Sequence, residues 1–183
     1  CDVDMAVAER AIQQIGAATQ RRVDANKLSA EARAATLARL TPFSDLKRAS
    51  AGIDFVIEAV PENMDLKVDV LGRVTAAAPD RAIVASNTSS LSITELGQRL
   101  GVGERCIGTH FFNPPPAMKL LELVVGMHTS DATLARGQEL AAACDKTAII
   151  VNDSPGFATS RLGVILGAEA IRMLETGVAS VQD

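Results

Sequence analysis

Short apolar runs alternate with amphipathic stretches along most of this chain. The apolar runs are rich in β-branched residues and end at Gly, Pro or polar residues, which is typical of buried parallel strands. They cover residues 53–60, 82–86, 105–110, 119–126 and 148–151, with a possible edge strand at 41–44. Helical spacing of apolar residues predicts helices over 5–22, 29–40, 45–51, 65–78, 93–100 and 131–144. This alternation predicts an α/β fold with an open, mainly parallel sheet.

The pattern changes after Asn152. In the string DSPGF, Asp153 or Ser154 is expected to cap a long helix that has Pro155 in its first turn. No strand follows this helix. We therefore predict a sheet domain over residues 1–152 and the start of a helical domain over residues 153–183.

Both ends of the chain suggest a fragment of a longer protein. The sequence does not begin with Met, and it opens directly before a helix with no preceding strand. At the other end, Ser180 and Asp183 fit a capping box at the start of a further helix. A frayed polar tail is the alternative explanation for this last feature.

Composition narrows the possible partners. Hydrophobic residues make up 48% of the chain, and the mean hydropathy is +0.18, as expected for a well-buried globular protein. The net charge of −4 and the absence of Trp and Tyr argue against nucleic acid as a partner. An acidic chain is also unsuited to an anionic membrane, and no apolar run is long enough to span one.

The cysteines and histidines favour a cytoplasmic protein without a metal site. The three cysteines have no paired spacing, which is typical of reduced thiols. The two histidines lie in no Cys/His cluster, so we expect no zinc. No signal peptide is visible.

Three polar clusters each follow an apolar strand: PEN at 61–63, SNTSS at 86–90 and HFFNPPP at 110–116. Ligands of doubly wound sheets bind beyond the carboxyl ends of the strands. We therefore expect all three clusters to face one crevice. Ordinary loop chemistry is the alternative for each cluster taken alone.

His110 is the candidate general base. It ends a predicted strand, and Glu122 lies on the next one, where its carboxylate could orient the imidazole and stabilise its protonated form. The FNPPP turn would fold the second strand back beside the first. A hydrogen-bonded structural histidine is the alternative.

Asp2 lies directly before the first predicted helix. An acid at the end of a strand in that position binds the adenosine ribose in dinucleotide folds, and its charge favours NAD over NADP. Capping of the helix is the alternative role. The Gly-rich phosphate loop that should precede this acid is absent from the sequence.

The strings EAVPENMDLK, SNTSSLSI, HFFNPPPAMKLLELV and DSPGFATSRL, in this order, closely resemble the L-3-hydroxyacyl-CoA dehydrogenase family in its bacterial 3-hydroxybutyryl-CoA form. The resemblance covers essentially the whole chain. It implies a Rossmann-like sheet lacking its first strand and Gly-rich loop, followed by the first helix of an all-α C-terminal domain. Residues 1–183 alone would then bind NAD weakly and be inactive.

The resemblance also implies roles for single residues. His110 matches the catalytic base and Glu122 its partner, and Ser89 matches a serine that contacts both substrate and cofactor. The residues that match cofactor contacts, or lie beside them, are Asp2, Glu62, Lys67, Asn87 and Asn113.

One position departs from the family pattern. Ser160 stands where the family often has an asparagine that contacts the substrate, and its shorter side chain makes that contact doubtful. Hydrogen bonding of the Ser160 hydroxyl to a helix carbonyl is the alternative. The contacts to the CoA tail also stay open. Its phosphates could be bound by Arg21, Arg22 and Lys27, but these side chains could equally be solvated at the end of a helix.

The resemblance implies reversible, NAD-dependent oxidation of a 3-hydroxyacyl-CoA to the 3-ketoacyl-CoA, as in fatty-acid β-oxidation or butanoate metabolism. It also implies a homodimer formed through the C-terminal domain. Two alternatives stay open. One is a related hydroxy-acid or sugar-acid dehydrogenase that does not use CoA, and the other is a non-catalytic, crystallin-like relative.

Overall fold

The structure, a computed structural model, describes residues 1–182, which form two compact units. The first unit comprises Cys1–Ile53 and Ala76–Pro79. The second comprises Asp54–Thr75 and the described residues from Asp80 onward. Within residues 1–182, no helix combines the length and apolar character needed to cross a bilayer.

Three helices make up most of the first unit, and each starts at a side-chain cap. They are α1 (Met5–Asp24), α2 (Ala30–Ala38) and α3 (Leu46–Ser50). Ser29 accepts the Ala32 N–H at 3.1 Å, as predicted for the cap of α2. Asp4 caps α1 by accepting the Ala6 N–H at 2.9 Å. A carboxylate or hydroxyl in this position satisfies an N–H that the helix itself leaves free.

The predicted edge strand at 41–44 is wrong. These residues have no strand conformation in the structure. The Phe43 carbonyl accepts the Asp2 N–H at 3.0 Å, but no ladder continues from this bond. Pro42 has no N–H to donate, so the segment lacks one of the groups that a ladder requires.

The second unit is built on one five-stranded sheet in the order β1-β2-β3-β4-β5. Its strands are β1 (Phe55–Glu58), β2 (Ile83–Ser86), β3 (Cys106–Phe111), β4 (Leu120–Val125) and β5 (Thr147–Asn152). All neighbouring strands are parallel except β3 and β4, so the predicted mainly parallel α/β sheet is confirmed. The antiparallel pair places His110 directly opposite Glu122, as the predicted turn required.

Helices pack on both faces of the sheet and bury its alternating side chains. The helices of this unit are α4 (Met64–Thr75), α5 (Ile93–Leu100), α6 (Asp131–Ala143) and α7 (Thr159–Glu175). One core cluster includes Val84 and Val124 with Leu71 of α4. The other includes Ile83 and Ala85 with Ala141 of α6. This burial on both faces explains the near-continuous apolar runs of the strands.

The prediction for the start of the last helix is wrong in its details. Neither Asp153 nor Ser154 caps α7, which begins later, at Thr159, after turns at Gly156 and Phe157 with positive φ. The Asp153 carboxylate instead accepts the Ser92 hydroxyl at 2.7 Å, at the start of α5. Distant donors, the Ser92 hydroxyl and the Thr94 N–H, thus occupy this carboxylate in place of the N–H groups of α7, which sequence spacing cannot reveal. The predicted capping box at Ser180 ends on Asp183, which lies outside the described residues.

We predict that Gly108→Ala destabilises the protein. A Cβ at Gly108 would lie 2.7 Å from Val124 Cβ and 3.1 Å from Ile93 Cγ1, in the middle of the sheet. Overpacking of this kind costs about 1–3 kcal/mol. Urea denaturation should show the loss in the free energy of unfolding. Gly72→Ala in α4 is the control, because its new Cβ would lie 3.8 Å from Leu100 Cδ2, an ordinary van der Waals distance, and it should instead stabilise by up to about 1 kcal/mol. Equal stability of Gly108→Ala and the unmodified protein would contradict the close packing of β3 on β4.

Candidate active site

The three polar clusters meet at one edge of the sheet, as predicted. The Glu62 carboxylate accepts the Thr88 hydroxyl at 2.5 Å and the Ser89 N–H at 3.0 Å, which joins the first cluster to the second. Asn87 Oδ1 accepts the Phe111 N–H at 2.9 Å, which joins the second to the third. These bonds follow from the parallel order of β1, β2 and β3, whose carboxyl ends lie side by side.

A buried ion pair lies beneath Glu62. Lys67 Nζ donates to Glu58 at 2.8 Å and to the Val60 carbonyl at 3.2 Å, and its side chain is only 1% exposed. The Ser86 hydroxyl donates to the other Glu58 oxygen at 2.6 Å. Lys67 Nζ also lies 3.3 Å from Glu62. The ammonium group therefore has three acceptors within the protein, and the cofactor contact of Lys67 stays a prediction.

Glu62 is held as a carboxylate at the edge of the sheet where the three polar clusters meet. Burial by itself would raise the pKa of this carboxyl, but hydrogen bonds from Thr88 and Ser89 and the charge of Lys67 outweigh it and lower the pKa. The side chain is 38% exposed. An ionised acceptor is thus partly exposed at the carboxyl end of β1, where a ligand hydroxyl could reach it.

His110 and Glu122 form a direct, buried pair. His110 Nδ1 lies 2.6 Å from Glu122 Oε2, and the side chains are 10% and 0% exposed. An ionised carboxylate can only accept, so Nδ1 carries the proton and Nε2 is the nitrogen left to take up another. The imidazole also contacts the rings of Phe112 and Phe157, with centroids 4.7 and 5.9 Å away. Its orientation is therefore fixed from three sides.

Both carboxylate oxygens of Glu122 accept hydrogen bonds. Oε1 accepts the N–H groups of Ala158 and Thr159, at 3.2 and 3.0 Å. Oε2 accepts the Thr159 hydroxyl at 2.8 Å in addition to His110. Burial alone would raise the pKa of this carboxyl, but the four hydrogen bonds outweigh it and lower the pKa. The positive end of the α7 dipole acts in the same direction.

Ser89, Asn113 and Ser160 offer polar groups that the described part of the protein leaves free. Ser89 and Asn113 are exposed, and Ser160 is half-buried. No hydrogen bond of the Ser160 hydroxyl occurs among residues 1–182, which weighs against its bonding to a helix carbonyl. The catalytic and binding roles of these three residues stay predictions.

Asp2 lies in the first unit, shortly before the start of α1. Its carboxylate accepts the Asp4 N–H at 3.1 Å, whereas Asp4 caps α1. The alternative role of Asp2 as the helix cap is therefore not observed. Asp2 lines an open cleft of about 250 Å³ between α1 and the segment around Pro42. Its contact with a ribose stays a prediction.

Sequence reasoning missed Glu58, Thr88 and Thr159. Glu58 was hidden within an apolar run, where a charged residue is itself a signal because burial requires a partner. Thr88 lies inside the SNTSS cluster, but nothing in the sequence indicates what its hydroxyl binds. Thr159 was missed because α7 was expected to begin earlier, which placed Thr159 inside the helix and not among its first free N–H groups.

Comparison with known proteins agrees with this geometry. Residues 1–154 match the family model of the 3-hydroxyacyl-CoA dehydrogenase NAD-binding domain. A 3-hydroxyadipyl-CoA dehydrogenase of Escherichia coli is 36% identical over 98% of this chain and 38% of its own length. A probable 3-hydroxybutyryl-CoA dehydrogenase of Bacillus subtilis is 36% identical over 97% of this chain and 62% of its own length.

Solved structures show the same architecture. The (S)-3-hydroxybutyryl-CoA dehydrogenase of Ralstonia eutropha superposes with a TM-score of 0.94 and 37% identity, over 99% of this chain and 64% of that one. The chain thus spans less than two thirds of the relatives named here. Because the family model matches residues 1–154 of the 183-residue chain, this chain belongs to the 3-hydroxyacyl-CoA dehydrogenase family, and the match is to its NAD-binding domain.

Proposed function

We propose that the full-length protein interconverts 3-hydroxyacyl-CoA and 3-ketoacyl-CoA with NAD, and that His110 is the general base. The observation that carries this proposal is the 2.6 Å hydrogen bond between His110 and the fully buried Glu122. The pair lies beside the crevice formed by the carboxyl ends of β1, β2 and β3. Membership of the family supports the substrate class.

The pair can accept and hold a proton. Glu122 keeps the proton of the neutral ring on Nδ1, so Nε2 presents its lone pair to a substrate hydroxyl. When Nε2 takes that proton, the ring becomes an imidazolium next to a carboxylate that is already ionised. This stabilises the charge that develops during the reaction. In the reverse direction Nε2 returns the proton to the keto oxygen.

The residues at the crevice fit a dinucleotide. Glu62 offers an ionised acceptor, Ser89 a free hydroxyl and Asn113 an exposed amide, which together match the hydroxyl and amide groups of NAD. We propose that these residues bind the cofactor, with Lys67 setting the position of Glu62 and Asn87 that of the β3 loop. Bound NAD would supply the hydride acceptor. Asp2 is proposed to bind the adenosine ribose.

Ser89 and Ser160 are the proposed polar contacts of the substrate. The Ser89 hydroxyl follows β2 and makes no hydrogen bond within the described protein, so it is available to the substrate oxygen. Ser160 lies next to Thr159 in the first turn of α7, close in sequence to the groups that bind Glu122. A free hydroxyl there can donate one hydrogen bond.

We also propose a cytoplasmic homodimer. Helix α7 leaves large apolar side chains exposed, including Val164 at 72% and Leu166 at 70%. An exposed apolar surface of this kind is typical of a protein interface. We propose that it is covered by a helical C-terminal domain, through which two subunits associate.

We predict that His110→Gln in the full-length protein lowers turnover by about 10²- to 10⁴-fold, the typical contribution of general base catalysis. NADH affinity should stay unchanged, because His110 is proposed to act on the substrate. Steady-state rates and a fluorescence titration with NADH measure the two effects. His128→Gln is the matched control, since His128 is an exposed loop residue that bonds to Gln98, and it should keep full turnover. An active His110→Gln enzyme would overturn the assignment of the base.

The substrate class is tested by NADH consumption. We expect rapid oxidation of NADH with acetoacetyl-CoA, followed at the nicotinamide absorbance, and slow oxidation with free acetoacetate. Free 3-hydroxybutyrate and gulonate should be poor substrates in the reverse assay. Activity on the free acids without activity on the thioester would instead favour a dehydrogenase that does not use CoA. No activity with any of them, despite tight NADH binding, would favour a non-catalytic relative.

A further inference from the structure

We propose that Thr159 is a positioning residue for the His110–Glu122 pair, with its side-chain hydroxyl fixing the carboxylate oxygen that the imidazole uses. This inference rests on the proposed function of that pair. The Thr159 hydroxyl donates to Glu122 Oε2 at 2.8 Å, and His110 Nδ1 lies 2.6 Å from the same oxygen. One oxygen is therefore shared between the ring and the hydroxyl.

The hydroxyl of Thr159 does not serve its own helix. Two threonines inside helices bond to a carbonyl one turn earlier, Thr19 to Ile15 and Thr36 to Ala32, both at 2.8 Å. Thr159 is the first residue of α7, where no earlier helical carbonyl exists for this bond. Its hydroxyl points to Glu122 instead, across 37 residues of sequence.

Four donors fill the accepting capacity of the carboxylate. Two backbone N–H groups hold Oε1, and His110 and the Thr159 hydroxyl hold Oε2. An ionised carboxylate has about four lone-pair sites, so every site is used. Rotation of the Glu122 side chain would break several bonds at once. The imidazole is thus aligned by a carboxylate that cannot turn away from it.

The hydroxyl also moderates the strength of the pair. Because two donors share Oε2, each receives less of its negative charge than a single donor would. Removing the hydroxyl should tighten the bond to His110 Nδ1–H and leave the carboxylate less firmly held. The tighter bond strengthens the interaction of the imidazole with Glu122. The looser carboxylate lowers the fraction of molecules in which the imidazole is correctly aligned.

The experiment compares Thr159→Val, Thr159→Ala and Thr159→Ser in the full-length protein. Val keeps the shape of the side chain but lacks the hydroxyl. Ala lacks both the shape and the hydroxyl, and Ser keeps the hydroxyl without the methyl group. Thr176→Val, at the other end of α7, is the matched control. The measurements are kcat and KM with acetoacetyl-CoA, the pH profile of the reverse oxidation, and the NMR signal of the His110 Nδ1–H proton, identified by its loss in His110→Gln.

We expect Thr159→Val and Thr159→Ala to lower kcat about tenfold, as for one lost hydrogen bond in the transition state, with KM changed less than about twofold. The acid limb of the pH profile should move to higher pH, and the Nδ1–H signal to lower field. Thr159→Ser and Thr176→Val should match the unmodified protein in every measurement.

Two results would overturn this role. One is an Nδ1–H signal that does not move in Thr159→Val and Thr159→Ala. The other is a kcat in both variants equal to that of Thr176→Val. Failure of the proposed function itself is distinguishable, because it would appear as an active His110→Gln enzyme, whereas the NMR signal reports on Thr159 without any turnover.

Discussion

The hydrogen bonds of the buried Glu122 carboxylate hold the candidate active site together. A charge removed from water is costly unless its hydrogen bonds are complete. Glu122 is 0% exposed, and it meets this requirement with donors from His110, Ala158 and Thr159. One side chain thus orients the imidazole and also caps the start of α7. The Glu122 carboxylate therefore fixes both the start of α7 and the orientation of the His110 imidazole.

A second buried carboxylate supports the other side of the crevice. Glu58 on β1 binds Lys67, the Val60 N–H and Ser86, and Lys67 reaches out to Glu62. Removing one partner of such a buried pair costs about 3–5 kcal/mol, so the arrangement is rigid. Glu62, which accepts the Ser89 N–H, is thus held from beneath by the charged side chains of the sheet. Both carboxylates lie on strands, which hold them more precisely than loops could.

Much of the fold could be predicted from the sequence because its local signals agree with its tertiary structure. Apolar runs became the strands of one sheet, and the FNPPP turn placed β4 antiparallel to β3. Because register follows from pairing, His110 and Glu122 were predicted as neighbours. The errors arose where a distant group decided the local structure. Asp153 binds the Ser92 hydroxyl and the Thr94 N–H at the start of α5 and not the start of α7. Glu122 accepts the first N–H groups of α7 instead.

The site was predicted less completely than the fold for the same reason. The clusters that contain Ser89 and Asn113 stand out because they follow apolar runs, and the resemblance to the family indicates these two residues within them. Lys67 was also singled out, but its burial against Glu58 could not be predicted, since nothing in the spacing shows that two charges nine residues apart meet beneath a loop. Thr159 and Thr88 are ordinary residues in sequence, and only the assembled structure shows what their hydroxyls bind.

The tautomer of His110 shows whether Glu122 prepares the imidazole to act as a base. Nitrogen-15 NMR of the imidazole, at a pH where the ring is neutral, distinguishes a proton on Nδ1 from one on Nε2. The signals of His110 in the full-length protein are assigned by their loss in His110→Gln. We expect the proton on Nδ1, facing Glu122, with Nε2 free to act as a base. A proton on Nε2 would rule out this role of the pair.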